Sequence, residues 1–273
     1  MRAIPILTAL LFLPACSGLP GLDMPVIRIS PRLHEDVKHG TTRMQSVQGG
    51  SVVDNAPQDM RQLGQNGHDE DWAIVASAGD GFSGAELEYR HIAIADTSTG
   101  VLGADFGAVP AGTTVSSKLA GDGWRLAYFG KFLGTTVAVG NQELEFALAG
   151  AFALTHREMT FGVAEDGNTG VEQRIHFSDS VTPYVGLRGR VAWRDLSLDV
   201  DALVNPDISF GSDFRGTQED IALTMRYRLE AQDVALLAGF RWLDLDTSGE
   251  EGGLRYDTGF RVEGFVLGLE IEF

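Results

Sequence analysis

Strict alternation of apolar and polar residues is the feature of this chain that most constrains its fold. Between Leu196 and Val204 apolar residues occupy every second position, and the same period recurs in segments from Trp72 to the end. Because successive side chains of a β-strand point to opposite faces, this period indicates strands with one apolar face. No segment beyond the first residues reaches 18 apolar residues, so no transmembrane helix is predicted.

A two-residue turn fixes the pairing of two of these strands. With the turn at 194–195, Trp193 lies opposite Leu196, and every later pair of partners follows from that register. On the polar face, the register places opposite charges across from each other: Arg190 with Asp199 and Arg188 with Asp201. A turn at 231–232 likewise keeps the apolar sides of its two strands together.

Alternation alone does not show whether the apolar face meets lipid or packs into a protein interior. An exported β-sandwich also alternates, with its apolar face inward. Two features favour a membrane barrel, whose apolar face meets lipid. The strands are long enough for the 9–11 residues that a tilted membrane strand needs, and aromatic residues such as Trp193, Tyr227 and Trp242 lie near strand ends on the apolar side.

The end of the chain carries a family resemblance. The last strand alternates five apolar residues with polar or small ones and stops at an aromatic residue: Phe265, Leu267, Leu269, Ile271 and Phe273. It resembles the C-terminal strand of bacterial outer-membrane β-barrels. The preceding Arg241, Trp242, Leu243, Asp244 and Tyr256 resemble the final hairpin of small barrels of the OmpA, OmpX and OmpW type.

This resemblance extends over 72–273 as a pattern and implies a location more than an activity. It implies a barrel surrounded by outer-membrane lipid and lipopolysaccharide, inserted by the barrel-assembly machinery, with the final strand as the assembly signal. The N-terminus would then be periplasmic.

The predicted fold is all-β: a closed antiparallel transmembrane barrel of ten strands, with eight as the alternative and an irregular N-terminal leader. Termini on one side require an even number of strands, so a tenth is placed within 40–56. The other segments are 72–79, 83–95, 113–129, 143–155, 173–193, 196–210, 219–230, 233–245 and 254–273. Turns at 80–82, 194–195 and 231–232 would be periplasmic, and loops at 54–71, 96–112, 165–172, 211–218 and 246–253 external.

The first residues predict export. Arg2 precedes an apolar run that ends in Leu13-Pro14-Ala15-Cys16, as in a secretory signal. It resembles a bacterial lipoprotein signal, which implies lipidation of Cys16 and a leader tethered to the inner leaflet. Removal by ordinary signal peptidase is the alternative. The predicted divisions are a signal peptide at 1–15, a periplasmic leader at 16–39 and the barrel at 40–273.

With apolar residues on lipid, the polar faces line the lumen. The predicted charge network is Arg188, Arg190, Asp199, Asp201, Arg226, Arg228 and Arg241, joined by Glu86, Glu88, Arg90, Arg125, Glu143, Glu145 and Arg174. A barrel of eight to ten strands is only wide enough for its side chains to fill it or nearly so. These charges should therefore pair, since an unpaired buried charge costs several kcal/mol.

Composition excludes several kinds of site. The chain has 38 acids and 21 bases, for a net charge of -17, which argues against a nucleic-acid partner. A single cysteine excludes a disulfide framework and a Cys-rich zinc site. No metal or cofactor is predicted: His34, His39 and His68 lack paired ligands. The stretch from Asp244 resembles the opening of a calcium-binding EF-hand loop but has Arg255 at its twelfth position, where an acid is required.

The function predicted from these features is a structural or interaction role in the bacterial envelope. The acidic external loops would meet cations, surface polysaccharide or a partner protein. His176 and Ser178 match the His-x-Ser pair of lipid A deacylases, but alternation turns both inward and no flanking motif of that family is present. The chain is therefore predicted not to be an enzyme. The alternatives are a narrow passive pore for small solutes and a lipid-modifying hydrolase using His176 and Ser178.

Overall fold

The computed structural model describes residues 25–65, 68–140, 142–167, 171–178, 181–208, 218–229 and 233–273, and only the backbone of 68–69, 93–98 and 178. Among these residues there are strands and one short 3-10 helix, Met60–Leu63, but no α-helix. The predicted all-β class is confirmed. The strands are β1 (Val26–Met44), β2 (Ser46–Gln48), β3 (Ser51–Val53), β4 (Gln58–Asp59), β5 (His68–Gly79), β6 (Gly84–Val101), β7 (Thr114–Val139), β8 (Gln142–Glu165), β9 (Glu172–Ser178), β10 (Thr182–Trp193), β11 (Leu196–Asn205), β12 (Gln218–Arg228), β13 (Val234–Glu251) and β14 (Leu254–Glu272).

Ten strands form a closed antiparallel ring. Around the ring the order is β1, β5, β6, β7, β8, β10, β11, β12, β13 and β14, and β14 pairs with β1 to close it. The closing ladder runs from Arg28 opposite Glu272 to Met44 opposite Tyr256. β9 pairs with the part of β8 beyond β10, and β4 pairs with β1. The predicted closed antiparallel barrel is thus confirmed.

The two ends of the barrel differ in their connections. At one end, which we call the short-turn end, tight turns at 80–83 and 194–195 join neighbouring strands, and β1 begins beside the end of β14. The opposite end, the loop end, carries the longer segments 45–67 and 102–113 and the turn at 252–253. The small β2–β3 hairpin and the 3-10 helix belong to the first of these segments.

The first strand differs from its predicted position. The sequence placed a strand within 40–56 after a leader at 16–39, whereas residues 26–39 belong to β1 and lie in the ring. Pro31 obscured the strand, because proline cannot donate to a ladder and usually argues against a central strand. The predicted signal peptide at 1–15, and Cys16, lie outside the residues that the structure describes.

The predicted strand at 173–193 is two strands, β9 and β10, and the interruption moves the apolar positions to the other face. Ile175 and Phe177 point inward and are fully buried, whereas Val185 and Leu187 point outward and are exposed. β7 and β8 are also longer than predicted, ending at Val139 and Glu165.

The outer wall of the short-turn half is apolar. Outward side chains such as Leu198, Val200 and Leu267 are exposed, which matches the predicted orientation toward acyl chains. Exposed aromatic residues mark both margins of this band: Trp193, Tyr227 and Phe273 at the short-turn end, and Trp72, Trp124 and Trp242 toward the loop end. At roughly 3.3 Å per residue and a tilt of about 40°, Phe265 to Phe273 spans about 20 Å along the barrel axis, close to the apolar band of outer-membrane barrels.

Toward the loop end the wall reverses its polarity. On β13 the outward residues change from Trp242 to Asp244 and Asp246, and the inward ones from Arg241 to Leu243. The inner face there forms the main hydrophobic core, packed with residues of the loop-end segments. Its members include Met44, Met60, Leu63, Phe106, Leu119, Phe161, Phe177, Tyr256 and Phe260.

Replacing Leu269 with arginine should lower the free energy of unfolding by about 2–4 kcal/mol, because it places a charge in the middle of the apolar band. The matched control is Glu263→Arg, on the same face of β14 but beyond the band, where the change should be about 1 kcal/mol or less. Denaturant titrations in phospholipid vesicles measure both. Equal losses would show that the band does not end between these positions.

Candidate functional site in the barrel lumen

The polar faces of β10 and β11 form two ion pairs inside the barrel. Arg188 lies opposite Asp201 and Arg190 opposite Asp199 in the ladder. The Arg188 guanidinium donates to both Asp201 carboxylate oxygens at 2.6 and 2.7 Å, and Arg190 donates to both Asp199 oxygens at 2.6 Å. Two parallel hydrogen bonds between guanidinium and carboxylate form a strong and directional ion pair. All four side chains are 11–15% exposed.

A second cluster crosses the middle of the lumen. Arg241 on β13 donates to Asp220 on β12 at 2.7 and 2.8 Å and also to Glu88 on β6. Arg125 on β7 lies 3.0 Å from Asp220, 2.8 Å from Glu88 and 3.0 Å from Glu86. Each guanidinium therefore neutralises carboxylates from more than one strand.

The network continues toward both sides of this cluster. Arg226 pairs with Glu270 at 2.7 Å, and Arg28 contacts Glu272 at 2.9 Å. Arg90 pairs with Asp36, a buried acid of β1. Five of these lumen residues are missing from the charge network predicted from the sequence: Arg28, Asp36, Asp220, Glu270 and Glu272. Alternation alone could have placed Asp220 and Glu270 in the lumen. They lie an even number of positions from Arg226 and Gly268, which face inward on the same strands.

Four predicted lumen residues lie elsewhere. Arg228 is exposed at the last position of β12. Glu143 and Glu145 lie on the part of the β7–β8 hairpin that extends beyond β6, and Glu145 is 3.5 Å from Lys131. Arg174 is 69% exposed, because the odd-numbered residues of β9 face inward and the even-numbered ones face outward. On the outer surface it pairs with Glu172. Alternation gives the face of a strand but not where the ring ends, which explains the errors at Arg228, Glu143 and Glu145.

The turn at the short-turn end folds over the lumen. Asp80 accepts hydrogen bonds from the backbone N–H groups of Phe82 and Ser83 at 2.8 and 2.6 Å. The turn directs Phe82 inward, where it is 5% exposed. Arg190 holds the turn in place by donating to the Gly81 carbonyl at 2.6 Å. The lumen is thus covered by this turn at one end and filled by the hydrophobic core at the other.

His176 faces the opposite way from its prediction. Its side chain is 52% exposed on the outer surface of β9, near Glu158 at 3.8 Å and the Thr160 hydroxyl at 3.2 Å. The inward expectation was wrong because the alternation shifts between β9 and β10. The side chain of Ser178 lies outside the part of the chain that the structure describes, so the predicted contact between His176 and Ser178 is not tested.

The EF-hand-like stretch is a strand. Asp244, Asp246 and Ser248 lie on the outward face of β13. Asp244 is engaged by Arg261 at 2.8 Å. Partial burial and the negative charges of Asp244 and Asp257 raise the pKa of Asp246. In the described part of the chain, no group of three or more His, Cys, Asp or Glu residues could hold a metal ion.

The C-terminal residues of the predicted assembly signal share the outer face of β14. Phe265, Leu267, Leu269, Ile271 and Phe273 are all exposed there. β14 is hydrogen-bonded to β13 on one side and β1 on the other, so these residues belong to the strand that closes the ring.

Comparisons with known proteins concern the architecture. No protein-family model and no curated protein matches the chain. Among solved structures it is similar to the outer membrane protease OmpT from Escherichia coli (TM-score 0.49, 12% identity, 93% of this chain and 99% of that chain). It is also similar to the CymD monoaromatic hydrocarbon channel (0.27, 7%, 92% and 89%) and to the Pseudomonas putida toluene transporter TodX (0.26, 8%, 90% and 89%).

The prediction that the chain is not an enzyme is contradicted by this comparison, because the first of these structures is a protease, 99% of which is covered. That prediction was based on the lack of a recognised catalytic motif. The barrel fold is compatible with both enzymes and non-enzymes, since activity resides in residues placed on a fold and not in the fold itself. The likeness assigns no catalytic residue to this chain.

Replacing Arg190 with methionine should destabilise the barrel by about 3 kcal/mol, because Asp199 then remains buried without its partner. The double variant Arg190→Met, Asp199→Leu should recover more than half of that loss. As a matched control, Arg43→Met removes an exposed pair with Asp257 and should cost about 1 kcal/mol or less. Unfolding titrations that give the same loss for the single and double variants would contradict the pairing energetics.

Proposed function

We propose that this protein is an outer-membrane barrel that is closed to solutes and acts through its loop end, which faces the outside of the cell. The filled lumen is the observation that carries the proposal. In the part of the chain that the structure describes, the barrel interior contains the hydrophobic core, then the paired charges, then the turn with Phe82. The surfaces left for contact with other molecules are the loop end and the outer wall.

The connections support this orientation. Outer-membrane barrels have short periplasmic turns and longer external loops, and the tight turns lie at the end where β1 starts and β14 stops. In this orientation the segment before Val26, with the proposed lipidation site at Cys16, is periplasmic. The final strand, which ends in Phe273, is available to the barrel-assembly machinery from the same side.

The charge of the loop end indicates what it binds. Four of the five segments predicted to face outward contain more acids than bases, and the fifth is balanced. On the outer wall nearby, arginines are already engaged with acids, such as Arg43 with Asp257 and Arg261 with Asp244. The complementary chemistry is positive charge, carried by cations or by a basic face of a partner protein.

The purified barrel should give no steady ionic current in a planar lipid bilayer, because its lumen is blocked in two places. The variant Phe82→Ala opens only the short-turn end and should also give no steady current, since the core around Phe106 and Phe161 still blocks the lumen. An established porin in the same bilayers provides the positive control. A steady current from the wild-type barrel would instead support a narrow passive pore.

A cysteine introduced as Glu250→Cys at the loop end should react with a membrane-impermeant maleimide on intact cells. Arg194→Cys at the short-turn end should react only after the outer membrane is permeabilised. Both positions are exposed, so accessibility to the reagent depends on the side of the membrane. Protein with the native sequence controls for labelling at Cys16. Labelling of the Arg194→Cys variant on intact cells would reverse the proposed orientation.

A further inference from the structure

A cavity of about 80 Å³ lies inside the barrel between the central ion pairs and the turn at Asp80–Ser83. This volume holds on the order of six water molecules or one small anion with some water. Seven arginines but only four carboxylates line it. Its wall therefore carries more positive than negative groups, although the protein as a whole is strongly acidic.

Arg32 is the arginine of this cavity that forms no ion pair with a described residue. It lies on β1, where its Nε donates a long hydrogen bond of 3.4 Å to the Ser30 hydroxyl. Among the described residues, no carboxylate lies within ion-pair distance of Arg32. The other arginines lining the cavity are paired with at least one acid each. Glu86 and Glu88 attract Arg32 only over a longer distance, so most of its N–H donors have no direct acceptor, which is costly for a guanidinium inside a barrel.

His34 has the same kind of deficit two residues further along β1. It lines the cavity and is 2% exposed, yet neither of its ring nitrogens has a hydrogen-bond partner. Buried polar groups in proteins nearly always have a partner, so an imidazole with two unused nitrogens indicates a missing one. Residues i and i+2 of a strand lie on one face, roughly 7 Å apart. One small molecule can therefore contact both Arg32 and His34.

We propose that this cavity is a binding site for a small oxyanion, contacted by Arg32 and His34. Guanidinium groups bind oxyanions through paired N–H donors, and a neutral imidazole contributes one N–H donor. The acids around the cavity already accept from arginines, so a cation finds no free carboxylate there. The barrel wall separates the cavity from lipid, so the ligand is a free anion such as phosphate, sulfate or a short carboxylate. This site is independent of the proposed loop-end surface.

The test is equilibrium dialysis of the full-length barrel in detergent against radiolabelled inorganic phosphate at constant ionic strength. We expect one saturable site per barrel. Unlabelled sulfate and acetate, as separate competitors, identify the preferred oxyanion. Arg32→Gln and His34→Leu should each weaken binding at least tenfold. The control Arg43→Gln removes an exposed arginine of the same strand and should leave binding within twofold.

Heat-modifiable migration on gels shows whether each variant forms the folded barrel. If Arg32→Gln does not fold, the proposed site is tested by the phosphate affinity of His34→Leu and by competition of sulfate and acetate with phosphate in the wild-type barrel. The proposal is overturned if the wild-type barrel shows no saturable binding of phosphate and neither sulfate nor acetate stabilises it against unfolding. It is also overturned if phosphate binds but the folded variants retain wild-type affinity, since the anion is then elsewhere.

Discussion

Closure of the hydrogen-bonded ring is the constraint on which the rest of this structure depends. Lipid offers no partner for a backbone N–H or C=O group, so a sheet that spans a membrane must pair its first strand with its last. Here the ladder between β1 and β14 runs almost the full length of both strands. In a closed ring the number and stagger of the strands set the width of the lumen, so the ten strands of this ring define a space that the inward side chains must fill.

The chain fills that space with two different kinds of packing. In the loop-end half, aromatic and aliphatic side chains pack as in a soluble protein. In the membrane half, large apolar residues such as Leu198 and Leu267 face lipid, and the interior combines the charged network with a smaller apolar cluster that includes Phe82, Phe129 and Tyr184. Arginine suits this position because one guanidinium reaches several acceptors. Arg125 and Arg241 join β6, β7, β12 and β13 through shared contacts with Glu88 and Asp220, which links strands on different sides of the lumen.

The sequence predicts those parts of the barrel in which period, turn chemistry and charge agree. The turn at 194–195 was sufficient to derive the register that the structure shows, with Arg188 opposite Asp201. β1 was misplaced because Pro31 interrupts its pattern, although the ring needs the strand. Period alone also failed where polarity reverses along a strand, because an apolar residue such as Leu243 faces the core while Trp242, its neighbour, faces lipid.

The site shows the same division between local and long-range information. A hairpin pair such as Arg190 and Asp199 is nine residues apart, so its geometry follows from one turn. The contact of Arg241 with Glu88 joins residues 153 positions apart, and it depends on the stagger of every strand around the ring. Contacts across the lumen therefore cannot be predicted from the sequence pattern of one hairpin. The cavity beside Arg32 and His34 belongs to this second class, since its walls come from strands distant in the sequence.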